Sequence, residues 1–115
     1  MILTPQQIAV LKEFNFSQEQ LEQLKAKHGE ISLIVLENKD TEQKVAGLFR
    51  QPDRKIMSLI GPYIESNSVK AAELITGACM VAGAEVIKSE PAYYIQAGTK
   101  IMDQMPKVEA QIVNF

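Results

Sequence analysis

The sequence contains no tryptophan, one cysteine and one histidine among its 115 residues, and only 6% of the residues are aromatic. The core therefore has to be built mainly from aliphatic side chains. A single cysteine, Cys79, cannot form an internal disulfide, which suits a reducing compartment. The longest apolar runs fall far short of the roughly 18 residues that a membrane-spanning helix needs. Residues 1–5 lack the basic start and apolar stretch of a signal peptide, so we expect a cytoplasmic protein.

The sequence also lacks an excess of charge of either sign, because the formal net charge is −2 and no block of like charges stands out. Nucleic acid is therefore not expected as a main partner, because phosphate binding needs a basic surface. What the sequence does contain is 46% hydrophobic residues, spread along the chain. A chain of this length can form one domain that buries roughly two thirds of its unfolded surface.

The side chains that catalyse reactions or bind metals are dispersed. A metal site needs ligands at fixed spacing, whereas His28 and Cys79 are far apart in sequence. Cys79 lies in the most apolar helical segment, where burial disfavours the thiolate that a nucleophile needs. No phosphate-binding glycine motif is present. We predict no catalytic residue, no metal site and no cofactor, with an enzyme of unrecognised type as an alternative.

An N-terminal helical hairpin is predicted over residues 1–29. Thr4 can cap the first helix, and Pro5 suits its first position because the missing N–H is unpaired there in any helix. Ser17 and Gln20 have the spacing of a capping box, which predicts the start of the second helix.

An antiparallel β-hairpin is predicted over residues 30–51. Residues 31–36 are short, apolar and rich in β-branched side chains, as strands are. Residues 38–40 have turn chemistry. Residues 43–50 form the second strand, and helices are needed to cover one face because a lone hairpin is marginal in water.

Three further helices are predicted over residues 52–106. The first opens at Pro52 and is interrupted at Gly61-Pro62, since proline removes a helical hydrogen bond. We expect its buried face to consist of Ile56, Ile60, Tyr63 and Ile64.

The second of these helices is predicted over residues 69–82, with small residues that allow neighbours to approach closely. Residues 84–88 follow as an extended link or a strand. The third helix opens at Pro91 and ends before Pro106, and residues 107–115 alternate in polarity as a strand or a tail would. The order of elements predicts a mainly helical, single-domain α+β protein.

Three residues are candidates for partner contacts. Neighbouring helical positions point about 100° apart, so only one of two adjacent tyrosines can follow the apolar stripe. Tyr94 fits the stripe, and Tyr93 is left at its edge, as an interface aromatic would be. Arg50 is expected to be exposed at the end of a strand. Met102 is either core filler or an adaptable contact.

Residues 49–55, Phe-Arg-Gln-Pro-Asp-Arg-Lys, resemble the aromatic–Arg–x–Pro–x–Arg/Lys stretch of phage and prophage tail assembly chaperones. In that family a short hairpin leads into this stretch, and a later helix with small residues and a cysteine ends at glycine. Residues 71–75, Cys79 and Gly83 stand in that order, and the similarity covers residues 31–87. The resemblance implies a non-enzymatic protein of the bacterial host cytoplasm whose partner is the long, apolar tape-measure protein.

These observations predict a protein-binding or assembly protein rather than an enzyme. The alternative is a self-associating structural or regulatory protein of prophage or bacterial origin. Such a homo-oligomer could pair through the exposed edge of the β-hairpin or through the C-terminal tail.

Overall fold

The computed structural model describes residues 2–105 and 108–115, which form one small α+β domain, as predicted. Six α-helices and a three-stranded antiparallel sheet lie within these residues. The helices are α1 (Pro5–Glu13), α2 (Gln18–His28), α3 (Arg54–Ile60), α4 (Ser68–Cys79), α5 (Glu85–Ser89) and α6 (Pro91–Gln104). The strands are β1 (Ile31–Glu37), β2 (Lys44–Arg50) and β3 (Met80–Gly83).

The predicted starts of the two N-terminal helices are confirmed. The Thr4 hydroxyl accepts a hydrogen bond from the Gln7 amide at 3.1 Å, and the Gln7 side chain accepts one from the Thr4 amide at 2.9 Å. The reciprocal capping box thus forms in α1. In α2, the described residues contain only half of the predicted box, the 3.0 Å bond from the Gln20 amide to the Ser17 hydroxyl.

The sheet has the order β1-β2-β3 and lies between two layers of helices. On one face, Ile34 and Phe49 pack with buried residues of α3, α4 and α6 in the main core cluster. On the other face, the helical hairpin packs onto the sheet through a smaller cluster. The buried members of this second cluster are Leu11, Phe16, Leu21, Ala46 and Leu48.

Within the helical part predicted over residues 52–106, the prediction for the middle is wrong. Helix α4 ends at Cys79 rather than at residue 82, because Met80–Gly83 forms β3 and pairs antiparallel with β2. Residues 84–88, predicted as extended, lie mostly in α5. Gly83 has a φ of 139°, and a Cβ there would come within 2.6 Å of the Gly47 Cα. This glycine pair lets the two strands approach, and periodicity alone cannot distinguish such a short apolar run from helix.

The start of α3 is shifted from the prediction. Asp53 is the N-cap, since its carboxylate accepts a 2.9 Å hydrogen bond from the Ile56 amide. Pro52 therefore precedes the cap instead of occupying the first helical position. The helix still opens with the residues that its dipole and capping rules favour.

The predicted interruption of α3 is confirmed, because the helix ends at Ile60 and Gly61–Tyr63 continues as one 3₁₀ turn. The change of helix type turns the following side chains away from the core. Tyr63 and Ile64 are 36% and 40% exposed, so the predicted buried face is wrong beyond Ile60.

Helices α4 and α6 cross with their backbones in contact, as the small residues predict. A Cβ on Gly98 would overlap the Ala72 carbonyl group. One helical turn away, the buried Thr76 hydroxyl donates a 2.6 Å hydrogen bond to the Tyr94 carbonyl. These two contacts show that α6 runs antiparallel to α4, because the contacted residue numbers rise in one helix and fall in the other.

Residues 108–115 contain neither helix nor strand and form an exposed tail. Their apolar side chains are open to solvent, with Val108 86%, Ile112 81% and Phe115 117% exposed. Residues 106 and 107, where the predicted helical part ends and the predicted tail begins, lie outside the described residues.

Candidate functional site

Strand β1 forms an open edge of the sheet. The Asn38 amide donates a 2.8 Å hydrogen bond to the Gln43 carbonyl at the closed end of the β1–β2 hairpin. Because hydrogen bonds in an antiparallel pair involve every second residue, this bond fixes the alternation along β1. The amides of Ser32, Ile34 and Leu36 face β2. Those of Leu33, Val35 and Glu37 face outward, where no strand of the described residues pairs with them.

The two edges of the sheet differ in their protection. Strand β3, the opposite edge, has four residues and a register shift opposite Leu48 and Phe49. Short length and irregular register are features that discourage further pairing. Strand β1 has seven residues in unbroken register with β2 and contains no proline. It is therefore the edge that is competent to pair.

A groove of about 620 Å³ runs along the open edge between β1 and α6. Its strand wall extends from Leu33 through the turn to Asp40. The helix wall presents residues at the helical spacing of three and four. These residues are Tyr93, Gln96, Lys100 and Gln104, with Ala92 beside them.

A second groove, of about 460 Å³, lies between the sheet and the helical hairpin. It is lined by Ile31, Leu33 and residues of the hairpin that include Leu21 and Lys25. Leu33 borders both grooves. Since successive side chains of a strand point to opposite faces, a strand added to β1 would direct its side chains alternately into the two grooves.

Glu37 is the one charged residue of β1, and neighbouring lysines compensate its negative charge. A 2.8 Å hydrogen bond from Lys39, together with the charge of Lys39, holds the pKa of Glu37 below its ordinary value. The Lys44 ammonium lies 3.7 Å away and acts in the same direction. The edge therefore presents a backbone without a strong uncompensated charge on the strand itself.

Only one of the three predicted contact residues lines the edge groove. Tyr93 is half-buried, packs against the main core cluster and lines the groove. Met102 also packs against that cluster but is not part of the groove wall. The use of Tyr93 and Met102 as partner contacts stays a prediction.

Arg50 is half-buried rather than exposed, with 29% of its side chain accessible. Its Nε donates a 3.2 Å hydrogen bond to the Ala78 carbonyl, and its guanidinium lies 3.8 Å from the Asp53 carboxylate. The end of β2 lies beside the end of α4, which is why the side chain finds a backbone partner. Arg50 therefore connects β2 to α4, and a contact between Arg50 and a partner stays a prediction.

Sequence reasoning expected an exposed edge of the β-hairpin but did not identify β1 as that edge, and it missed the helix wall beyond Tyr93. The signal for the wall is present, because Gln96 and Lys100 follow Tyr93 at helical spacing. The signal for the open edge is not local. It depends on β3 pairing with the far side of β2, which the sequence pattern did not reveal.

The side chains that could act as a nucleophile or as metal ligands are dispersed in the described part of the chain. Cys79 is fully buried, and burial raises the pKa of its thiol. Across residues 2–105 and 108–115, no group of three or more His, Cys, Asp or Glu residues is placed to hold a metal ion. None of the helices in these ranges has the length and apolar character needed to cross a membrane.

No protein family, curated protein or solved structure matches the chain. The resemblance to tail assembly chaperones stays a prediction. The open edge of β1 and its two grooves are the binding features that the described residues present.

Proposed function

We propose that the protein is a non-enzymatic binding protein that captures an extended segment of another protein as a fourth strand on β1. The observation that carries the proposal is the row of outward backbone groups at Leu33, Val35 and Glu37, in a strand of unbroken register. Addition of a strand to an exposed edge is a recurring mode of peptide recognition, in which main-chain hydrogen bonds supply much of the affinity.

The grooves define the chemistry of the captured segment. One set of its alternating side chains would contact Leu33 and the hairpin, and this set should be apolar. The other set would contact Tyr93 and Lys100 of α6, and this set should include apolar or acidic side chains. The preferred ligand is therefore an extended peptide with an apolar residue at every second position.

A cytoplasmic assembly role fits this mode of binding, because a chain awaiting assembly exposes apolar segments. The resemblance of residues 49–55 to tail assembly chaperones supplies a candidate, the tape-measure protein of a phage or prophage. The support for this partner is the resemblance alone, whereas the support for strand capture is the geometry of β1.

Selection from a displayed library of random nine-residue peptides tests strand capture directly. We expect the selected peptides to alternate in polarity and to bind the purified full chain. Binding should be lost in Val35→Pro, which removes an outward amide, and should persist in Val35→Thr, which keeps the amide and the β-branched shape. Equal binding by Val35→Pro and the unchanged chain would contradict the proposal.

Co-expression with a tape-measure protein, followed by co-purification at low and high salt, tests the named partner separately. A complex that forms with the unchanged chain and Val35→Thr, but not with Val35→Pro, is the expected result. Absence of any complex would remove the tape-measure protein as partner and leave the peptide result to decide the binding mode.

A further inference from the structure

The C-terminal tail has the length and pattern of a strand that would fit β1. The tail occupies residues 108–115, against the seven residues of Ile31–Glu37. Val108, Ala110 and Ile112 alternate with polar residues and share one side of an extended chain. Val113 and Phe115 share the other side. All of these side chains are exposed, and neither core cluster contains a tail residue. The tail is thus an unpaired, strand-like segment that the domain does not need for its core.

The tail also begins close to the open edge. Gln104, the last residue of α6, lines the groove beside β1 together with Glu37 and Asp40. The tail and the unpaired edge are therefore separated by only a few residues of chain. A segment and an empty pairing site on every copy are the two halves of a reciprocal interaction.

Helix α6 ends at Gln104, and the chain is extended at the next residue. Met105 is extended, with φ −67° and ψ 140°, and it precedes a proline, which favours that conformation. The molecule measures 56 × 36 × 21 Å, with a radius of gyration of 16.0 Å. A compact domain of this length has a radius of gyration of about 13 Å. The molecule is thus less compact than a typical domain of its length, and its exposed tail is accessible to another copy.

We infer that the tail of one copy pairs with β1 of a second copy, as a fourth strand of that copy's sheet. Reciprocal exchange would close a two-fold dimer and pair both open edges. The inference rests on the strand-addition site of the proposed function and assigns that site an occupant, so that dimerisation and capture of a foreign segment compete.

Light scattering of the eluted protein, measured over a wide range of concentrations, tests the dimer. We expect the full chain to pass from monomer to dimer as its concentration rises. A chain truncated after Met105 should stay monomeric, with an unchanged circular dichroism spectrum because the tail contributes nothing to either core cluster. Dimerisation of the truncated chain as strong as that of the full chain would overturn the inference.

Substitutions within the tail give a matched pair that leaves the domain untouched. Ile112→Lys replaces an apolar side chain of the tail with a charged one, and it should weaken dimerisation roughly tenfold or more. Gln111→Lys adds the same charge to the neighbouring polar position and should have a much smaller effect. Equal effects of the two substitutions would contradict pairing in the alternating manner of a strand.

A fluorescent synthetic peptide of residues 106–115, titrated into the truncated chain, separates the remaining outcomes. Binding that Val35→Pro abolishes is the expected result. If the peptide binds but the full chain stays monomeric at every concentration, the tail pairs within its own chain and the second copy is the wrong occupant. If the peptide does not bind while library peptides do, the tail inference fails and the proposed function stands.

Discussion

The α4–α6 crossing and the outer edge of β1 place the backbone in opposite situations. At the crossing, the Gly98 backbone lies directly against the Ala72 carbonyl, and no side chain separates the two helices. At the edge, the amides of Leu33 and Val35 face a groove. Close packing of backbones stabilises the α4–α6 crossing, whereas the open backbone of β1 is available for binding.

The largest expected effect is at the crossing. Gly98→Val places side-chain atoms against a backbone carbonyl that cannot move without separating the helices, so we expect a loss of about 3 kcal/mol or more in the free energy of unfolding. Urea denaturation measures it. Gly61→Ala is the control, because a Cβ there meets nothing within 4 Å and the residue is helical. A Gly98→Val protein as stable as the control would refute the backbone contact.

Proline substitutions on adjacent residues of β1 test whether the two sides of this strand differ. Ile34→Pro removes both an amide that faces β2 and a buried core side chain, and it should lower the free energy of unfolding by about 3 kcal/mol or more. Val35→Pro removes an outward amide and should cost under about 1 kcal/mol, since edge strands tolerate proline on their open side. Thermal and urea unfolding of both variants checks the difference. Equal losses would mean that the alternation along β1 is misassigned.

A smaller effect is expected at the hydrogen bond that accompanies the crossing. Thr76→Val keeps the side-chain shape and removes the 2.6 Å bond to the Tyr94 carbonyl, which should cost about 1 kcal/mol. Thr99→Val is the control. Its hydroxyl bonds to the Ile95 carbonyl in the same helix, an arrangement that contributes little. Chemical denaturation should rank Thr76→Val clearly below Thr99→Val in stability.

The smallest effect concerns the buried thiol of Cys79, the last residue of α4. Burial raises the pKa of Cys79, so the native thiol stays protonated at a pH where the unfolded thiol ionises. The stabilising contribution is fully present below the ordinary thiol pKa and is lost as pH rises toward the folded value. Cys79→Ser should lack this alkaline decline but share the rest of the pH profile. The same decline in Cys79→Ser would assign it to another group.

Local features of the fold could be predicted from sequence, because the residues that determine them are neighbours. Thr4 and Ser17 cap their helices through residues three positions on, and Pro62 ends α3 by removing its own hydrogen bond. The small residues of α4 predicted close packing correctly. These predictions depend on contacts within about one helical turn.

Non-local contacts explain what could not be predicted. Strand β3 pairs with β2, which lies far away in sequence, and Gly83 lies directly against Gly47 in this pair. The apolar residues 80–82 suit a helix equally well when they are considered alone. The candidate site could not be predicted for the same reason. Strand β1 is the long open edge only because β3 occupies the other side of β2. Tyr93 lines the groove and also packs against the main core cluster, and its role as a partner contact stays a prediction.

Amide hydrogen exchange along β1 shows whether its outer edge is open and captures a strand. It is measured in dilute full-length protein with and without a library-selected peptide. In the free protein, we predict fast exchange at Leu33, Val35 and Glu37 and slow exchange at the amides of Ser32, Ile34 and Leu36. The bound peptide should slow the first set and leave the second set nearly unchanged. Equal protection of both sets in the free protein, or no slowing of the first set on binding, would contradict the account.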